Sequence, residues 1–168
     1  MPYYFAYGSN MDNAQMTERC PNARYIGKGY LPDYKLAFTR NSRKWDSAVA
    51  DILVSPGETV WGIIYIVTDE DLKKLDIREG HPTIYRRKSE NVMVFNNSIF
   101  DMDSDSNKID EGIGDEGYNN LINYKPLEVE VYEVVKKELN LFPKLNYLNK
   151  LQDAAFEYSF PEAFFCLY

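Results

Sequence analysis

Apolar positions along this chain fall into short alternating runs and helical stripes, separated by clusters of Gly, Pro, Asn, Asp and Ser. Tyr3-Tyr4-Phe5-Ala6-Tyr7 predicts a first strand, with Phe5 and Tyr7 on one face and Tyr4 and Ala6 on the other. Gly8-Ser9-Asn10-Met11 breaks it, and Asn10 is placed to cap a short helix over residues 12–19. Strand material follows at residues 24–29 and 34–39, then a polar loop at 41–47. Residues 48–54 and 60–67 predict two more strands joined by a turn at Ser55-Pro56-Gly57-Glu58. The second of these is apolar on both faces, which predicts a central strand covered on both sides.

Thr68 is the expected cap of a further helix, with Asp69, Glu70 and Asp71 in its first turn, where acids suit the helix dipole. That helix runs to about Arg78 and ends near Gly80. Residues 84–95 read as a long strand, and 127–134 alternate cleanly as another. Tyr147, Leu148, Leu151, Ala154, Ala155 and Tyr158 recur at helical spacing, a stripe expected to dock on the sheet. Pro161 opens a last short helix or turn.

These elements make one domain over residues 1–168, with no internal repeat. Residues 96–125 stand apart: they are acidic, rich in Gly, Asn and Ser, and lack periodicity. Asp101-Met102-Asp103-Ser104-Asp105-Ser106-Asn107 has the alternation of a calcium loop. Ser106 stands where a sharp-turn Gly is needed, however, and Gly112 where a bidentate Glu is needed. A solvated connection between two strands is the expectation, with no metal.

Composition narrows the function classes. With 45% hydrophobic and 27% charged residues the chain reads as an ordinary globular protein. Its 14 Tyr either line a pocket with rings that are apolar on the face and polar at the tip, or fill an aromatic core. The net charge is −7, and the densest basic run, Arg86-Arg87-Lys88, sits in a strand whose side chains alternate between faces. No basic patch for nucleic acid is expected. No run of about 20 apolar residues predicts a membrane span, and no signal peptide is expected at the start. Cys20 and Cys166 suggest packing residues in a reducing, cytoplasmic setting.

Two segments carry chemistry. Gly8 removes a Cβ where the backbone bends, and amides at such a turn can grip a carboxylate or phosphate. Leu72, Leu75 and Glu79 stand at i, i+3 and i+7, so they share one helical face. If both leucines face the core, Glu79 turns inward at the helix C-terminus, where burial and dipole both raise its pKa. A general base working near neutral pH needs that shift. The alternative is a carboxylate that escapes to solvent past Gly80. His81, the only histidine, reads as a surface residue, and Ser9 lacks the partners of an activated nucleophile. Asp46 and Asp76 read as structural or solvated.

Tyr4-Phe5-Ala6-Tyr7-Gly8-Ser9-Asn10-Met11 resembles the N-terminal signature of the gamma-glutamyl cyclotransferase family, whose members usually carry Leu at the position of Met11. Leu75-Asp76-x-x-Glu79-Gly80 is similar to the segment that holds the family's catalytic glutamate. Val60-Trp61-Gly62, Tyr85, Tyr132 and Tyr147 fit the pattern in order, and the resemblance extends from Tyr3 to about Leu167. It implies an α+β fold, a small mixed barrel or sheet flanked by helices. It also implies intramolecular attack of a free α-amine on a γ-carbonyl, closing 5-oxoproline and releasing the amine-linked group. Glu79 would carry the protons, Tyr7, Gly8, Ser9, Asn10 and Met11 would hold the substrate, and Tyr132 would place a phenol in the cavity unless it lies on an outer face. No cofactor or metal is implied, and the expected partner is a small gamma-glutamyl molecule, with a homodimer left open. Gamma-glutamyl amines, carrier-linked gamma-glutamyl groups and a non-catalytic binding module for acidic metabolites stay open as alternatives, as does a plain structural domain.

Overall fold

The computed structural model describes residues 1–95 and 124–165. The chain runs β1 (Tyr3–Ala6), a 3-10 turn (Ser9–Met11), α1 (Asn13–Arg19), β2 (Arg24–Ser42), β3 (Ser47–Ile66), α2 (Asp69–Glu79), β4 (Tyr85–Phe95), β5 (Tyr124–Val134), α3 (Leu145–Glu157) and α4 (Glu162–Phe165). The strands lie in the order β1-β3-β2-β4-β5, antiparallel at each of these joins. One parallel pair, Tyr4 with Glu130, returns β5 to β1 and closes the sheet on itself. The α+β class expected from the sequence is the observed one. Ile63, Ile64 and Tyr65 are buried on both faces of β3, as expected of a central strand. Each such side chain contributes about 1.5–3 kcal/mol of burial.

Two predicted breaks are absorbed into longer strands. Pro32 pairs with Thr59 and Tyr34 with Val54, so Ser55–Glu58 stand opposite Asp33 alone. Gly57 (φ 84) and Asp33 (φ 61) take left-handed conformations, and the Asp33 carboxylate accepts from the Gly57 N–H at 2.9 Å. The result is a wide bulge that bends the β2–β3 ribbon without ending it. At the ribbon's far end Ser42 pairs with Ser47, so the predicted loop at 41–47 shrinks to a tight turn over residues 43–46.

The helix starts also differ from expectation in one place. Asp12, not Asn10, caps α1: its carboxylate accepts from the Gln15 N–H at 2.7 Å. In α2 the Thr68 hydroxyl accepts from the Asp71 N–H at 3.0 Å, and Asp71 reaches back to the Thr68 backbone, a reciprocal cap. Gly80 ends α2 in the left-handed conformation (φ 66), as its position predicted. β5 begins at Tyr124, so Tyr124 and Lys125 are strand rather than loop. The remainder of the 96–125 segment and its calcium-like run lie outside the described residues, as does Cys166. On α3 the buried side chains are Tyr147, Leu151, Ala154 and Ala155, and the helix packs beside the 3-10 turn. Among the described residues no helix is long and apolar enough to cross a membrane.

Candidate active site

Glu79 is the last residue of α2. Leu75 below it is fully buried and Leu72 nearly so, and the shared face carries the Glu79 side chain inward, leaving it 20% exposed. Gly80 makes the sharp exit possible, because its N–H bonds back to Asp76 and Ile77 carbonyls in a conformation that costs a Cβ-bearing residue. The carboxylate opens into a cavity of about 550 Å³.

Three segments converge on that carboxylate. Asn10, 5% exposed, donates through Nδ2 to the Tyr4 hydroxyl at 2.8 Å and to Glu79 Oε1 at 3.3 Å. Its Oδ1 accepts from Gln15 Nε2 at 3.1 Å and from Arg19 Nη1. A guanidinium can only donate, so this network fixes which way the Asn10 amide points. Arg19 also stands 3.5 Å from Glu79 Oε1. Burial pushes the Glu79 pKa above its usual value of 4.5, while Arg19, the Asn10 hydrogen bond, Arg40 and Lys44 pull it down. Burial wins, so the group is a better base than an exposed carboxylate yet stays tied to a cation.

Tyrosines build the walls. The Tyr7 hydroxyl donates to the Tyr132 carbonyl, and the Tyr132 hydroxyl donates to Asp76 Oδ1 at 2.8 Å, where Arg87 Nε also sits at 3.0 Å. Asp76 is therefore structural rather than solvated. The Tyr147 hydroxyl accepts from the Ala50 N–H at 3.1 Å and from the Ser9 amide. Tyr85 donates to the Ala50 carbonyl at 3.2 Å. Burial raises the pKa of Tyr4, Tyr7, Tyr85, Tyr132 and Tyr147, so all five stay neutral phenols that orient neighbours without titrating near neutrality. A Cβ at residue 8 would come within 3.2 Å of the Tyr147 hydroxyl and 3.3 Å of the Ala50 Cβ. Gly8 thus lets the turn close onto α3 and β3.

Glu79, Tyr7, Gly8, Ser9, Asn10 and Tyr132 all line this cavity. Met11 does not: its side chain is fully buried in the core, and its N–H is taken by the Gly8 carbonyl at 3.0 Å. The Asp12 N–H is likewise taken by Ser9 at 3.2 Å, so fewer turn amides face outward than the sequence suggested. Sequence reasoning missed Arg19, which follows buried Met16 by three residues and so shares its face. It also missed Arg40, Arg43, Lys44 and Trp45, which the β2–β3 hairpin brings to the cavity rim. His81 is not in the lining; its Nδ1 accepts from the Arg87 N–H at 3.1 Å. Cys20 is buried, in contact with the Asp71 carbonyl at 3.6 Å. Among the described residues no group of His, Cys, Asp and Glu side chains is arranged to hold a metal ion.

The same overall fold is found in a solved structure described as a gamma-glutamyl cyclotransferase. The two superpose with a TM-score of 0.76 over 97% of this chain and 83% of that one, at 23% identity, a likeness of fold alone. The sequence model of the family described as gamma-glutamyl cyclotransferase, AIG2-like, matches residues 4–110, and the chain belongs to that family. Tyr132 and Tyr147 lie beyond this match. Human and bovine proteins named gamma-glutamylcyclotransferase are each 37% identical over 81 residues, 46% of this chain. Those alignments take in 43% of each relative, so the chain matches less than half the length of either.

Proposed function

We propose that the chain is a gamma-glutamyl cyclotransferase that converts a gamma-glutamyl compound into 5-oxoproline and a free amine, with Glu79 as base and then acid. The observation that carries this is the Glu79 carboxylate itself: inward, raised in pKa by burial, and held by Asn10 and Arg19 in the lining of a cavity. The substrate's α-ammonium gives a proton to Glu79 and becomes nucleophilic. Its nitrogen attacks the γ-carbonyl carbon, a five-membered ring closes, and the bond from that carbon to the departing nitrogen breaks. Two protons leave the α-nitrogen and two arrive on the departing one, and a single carboxyl carries them in turn. Because the nucleophile is tethered, the site mainly has to fold the substrate into attack geometry. Neutral phenols suit that task. Because the Ser9, Met11 and Asp12 amides already have partners, polarisation of the carbonyl oxygen falls, in this reading, to the Gly8 and Asn10 amides. A cytoplasmic setting and a small-molecule substrate belong to the same reading.

The test is product identity. The purified protein is incubated with gamma-glutamyl-alanine, and 5-oxoproline and glutamate are separated by chromatography. Cyclisation gives 5-oxoproline and alanine with no glutamate. Glutamate as the main product means hydrolysis, and no product at all favours a binding module; either result overturns the proposal.

A further inference from the structure

Beside the acid lies a feature that lactam closure does not use. The cavity is lined by Arg19, Arg40, Arg43, Lys44 and Arg78, and Glu79 is the one carboxylate among its described lining residues. The whole chain carries a net charge of −7, so this concentration of cations runs against its composition. Arg19 is occupied by Asn10 and Glu79. Arg40, Arg43 and Lys44 stand within salt-bridge distance of no carboxylate among the described residues, whereas Lys88 on β4 pairs with Glu90 at 3.0 Å and Glu133 at 2.8 Å. Two of them rest against rings: the Arg40 guanidinium lies 5.8 Å from the centre of the Tyr85 ring, and Lys44 Nζ 5.9 Å from that of Trp45. Arg40 is half-buried, and Arg43 and Lys44 are exposed at the hairpin turn. Asn10, Arg19 and Glu79 lie at the more buried end of the lining, Arg43 and Lys44 at its exposed mouth, and half-buried Arg40 between them.

A cation held near solvent without a carboxylate partner is a ready site for an anion on a ligand, and a cluster of them raises the local concentration of anionic molecules. In the lactam-forming reaction the ring-closing end of the substrate occupies the deep end. The departing group must then extend towards the mouth. We propose that Arg40, Arg43 and Lys44 form a subsite for carboxylates on the leaving group, so that the chain selects gamma-glutamyl compounds with an anionic leaving group over gamma-glutamyl amines and amides. This inference rests on the cyclotransferase reading of the same cavity.

The experiment compares kcat/KM for gamma-glutamyl-alaninamide, gamma-glutamyl-alanine and gamma-glutamyl-glutamate, whose leaving groups carry no, one and two carboxylates. Each carboxylate that pairs with a hairpin cation should raise kcat/KM about tenfold, so the series rises with charge. The variant R40M/R43M/K44M should flatten the series, and R40K/R43K should restore much of the slope. Ratios between substrates cancel any change in Glu79 ionisation, which the three share. A series that is flat or falls in the wild type overturns the subsite, as does a slope unchanged in the triple variant. If none of the three is cyclised, the cyclotransferase reading fails by itself. Calorimetric titration of the same compounds then gives the comparison as affinities: a charge preference lost in the triple variant supports the subsite, and equal affinities overturn it.

Discussion

Removing the Arg19 charge gives a prediction with a defined sign and size. In Arg19→Met the stem remains and the guanidinium 3.5 Å from Glu79 Oε1 is lost. Two unit charges at that separation interact by about 4–5 kcal/mol at an effective dielectric constant near 20. Both side chains are in part open to the cavity, 10% and 20% exposed, so solvent screening reduces the effect to about 1.5–3 kcal/mol. At 1.36 kcal/mol per unit this is a further rise of about one to two units in the Glu79 pKa. The base must be ionised to accept the first proton, so the acid limb of the kcat/KM profile for 5-oxoproline release should move to higher pH by that amount, and Arg19→Lys should move it back. Linkage gives an independent check. Glu79 is raised above its usual 4.5, so folding favours its protonated form. That contribution is complete below the unfolded value and is lost as pH rises through the folded one. The variant loses more, so its Tm deficit relative to the wild type should widen between pH 4 and pH 7. An acid limb that stays in place or moves to lower pH refutes the reasoning behind this coupling.

Other substitutions probe the frame around the acid. Tyr147→Phe removes the acceptor for the buried Ala50 N–H and should cost about 1–3 kcal/mol in urea unfolding, with activity reduced through the displaced Gly8 turn. Gly80→Ala forces a Cβ into a left-handed conformation, 2.8–3.1 Å from atoms of Ile84, so a loss of about 1–3 kcal/mol is expected. Because Gly80 sets the end of α2, kcat should fall with stability, measured by parallel denaturation and turnover. Asp51→Ala removes a fully buried carboxylate that accepts from the Thr39 hydroxyl at 2.6 Å, the Val134 N–H at 2.9 Å and Lys137 Nζ at 2.6 Å. Thermal unfolding should show destabilisation of about 3–5 kcal/mol.

The helix that bears the acid was the most legible part of the chain. Its cap at Thr68, its acidic first turn, its stop at Gly80 and the inward face shared by Leu72, Leu75 and Glu79 all follow from local spacing, and the structure reproduces them. What failed was what depends on partners far along the chain. Asn10 has the chemistry of a helix cap, but Tyr4, Glu79 and Arg19 draw its amide away and Asp12 takes the capping position. Pro32 and Ser55–Glu58 carry breaker chemistry, yet the pairing between β2 and β3 on either side continues through a bulge. The cavity rim was invisible for a similar reason. Arg40, Arg43 and Lys44 sit in a polar stretch whose direction is set by hairpin register, and Arg19 and Glu79 come together only through the packing of α1 on α2.

One carboxyl group that passes protons between two nitrogens carries the proposed chemistry. Glu79→Gln keeps the shape and the Asn10 side of the network and removes the base. Measured by 5-oxoproline release at saturating gamma-glutamyl-alanine, kcat should fall at least about a hundredfold, with the fold intact by circular dichroism. A variant that turns over at the wild-type rate would mean that Glu79 is not the base.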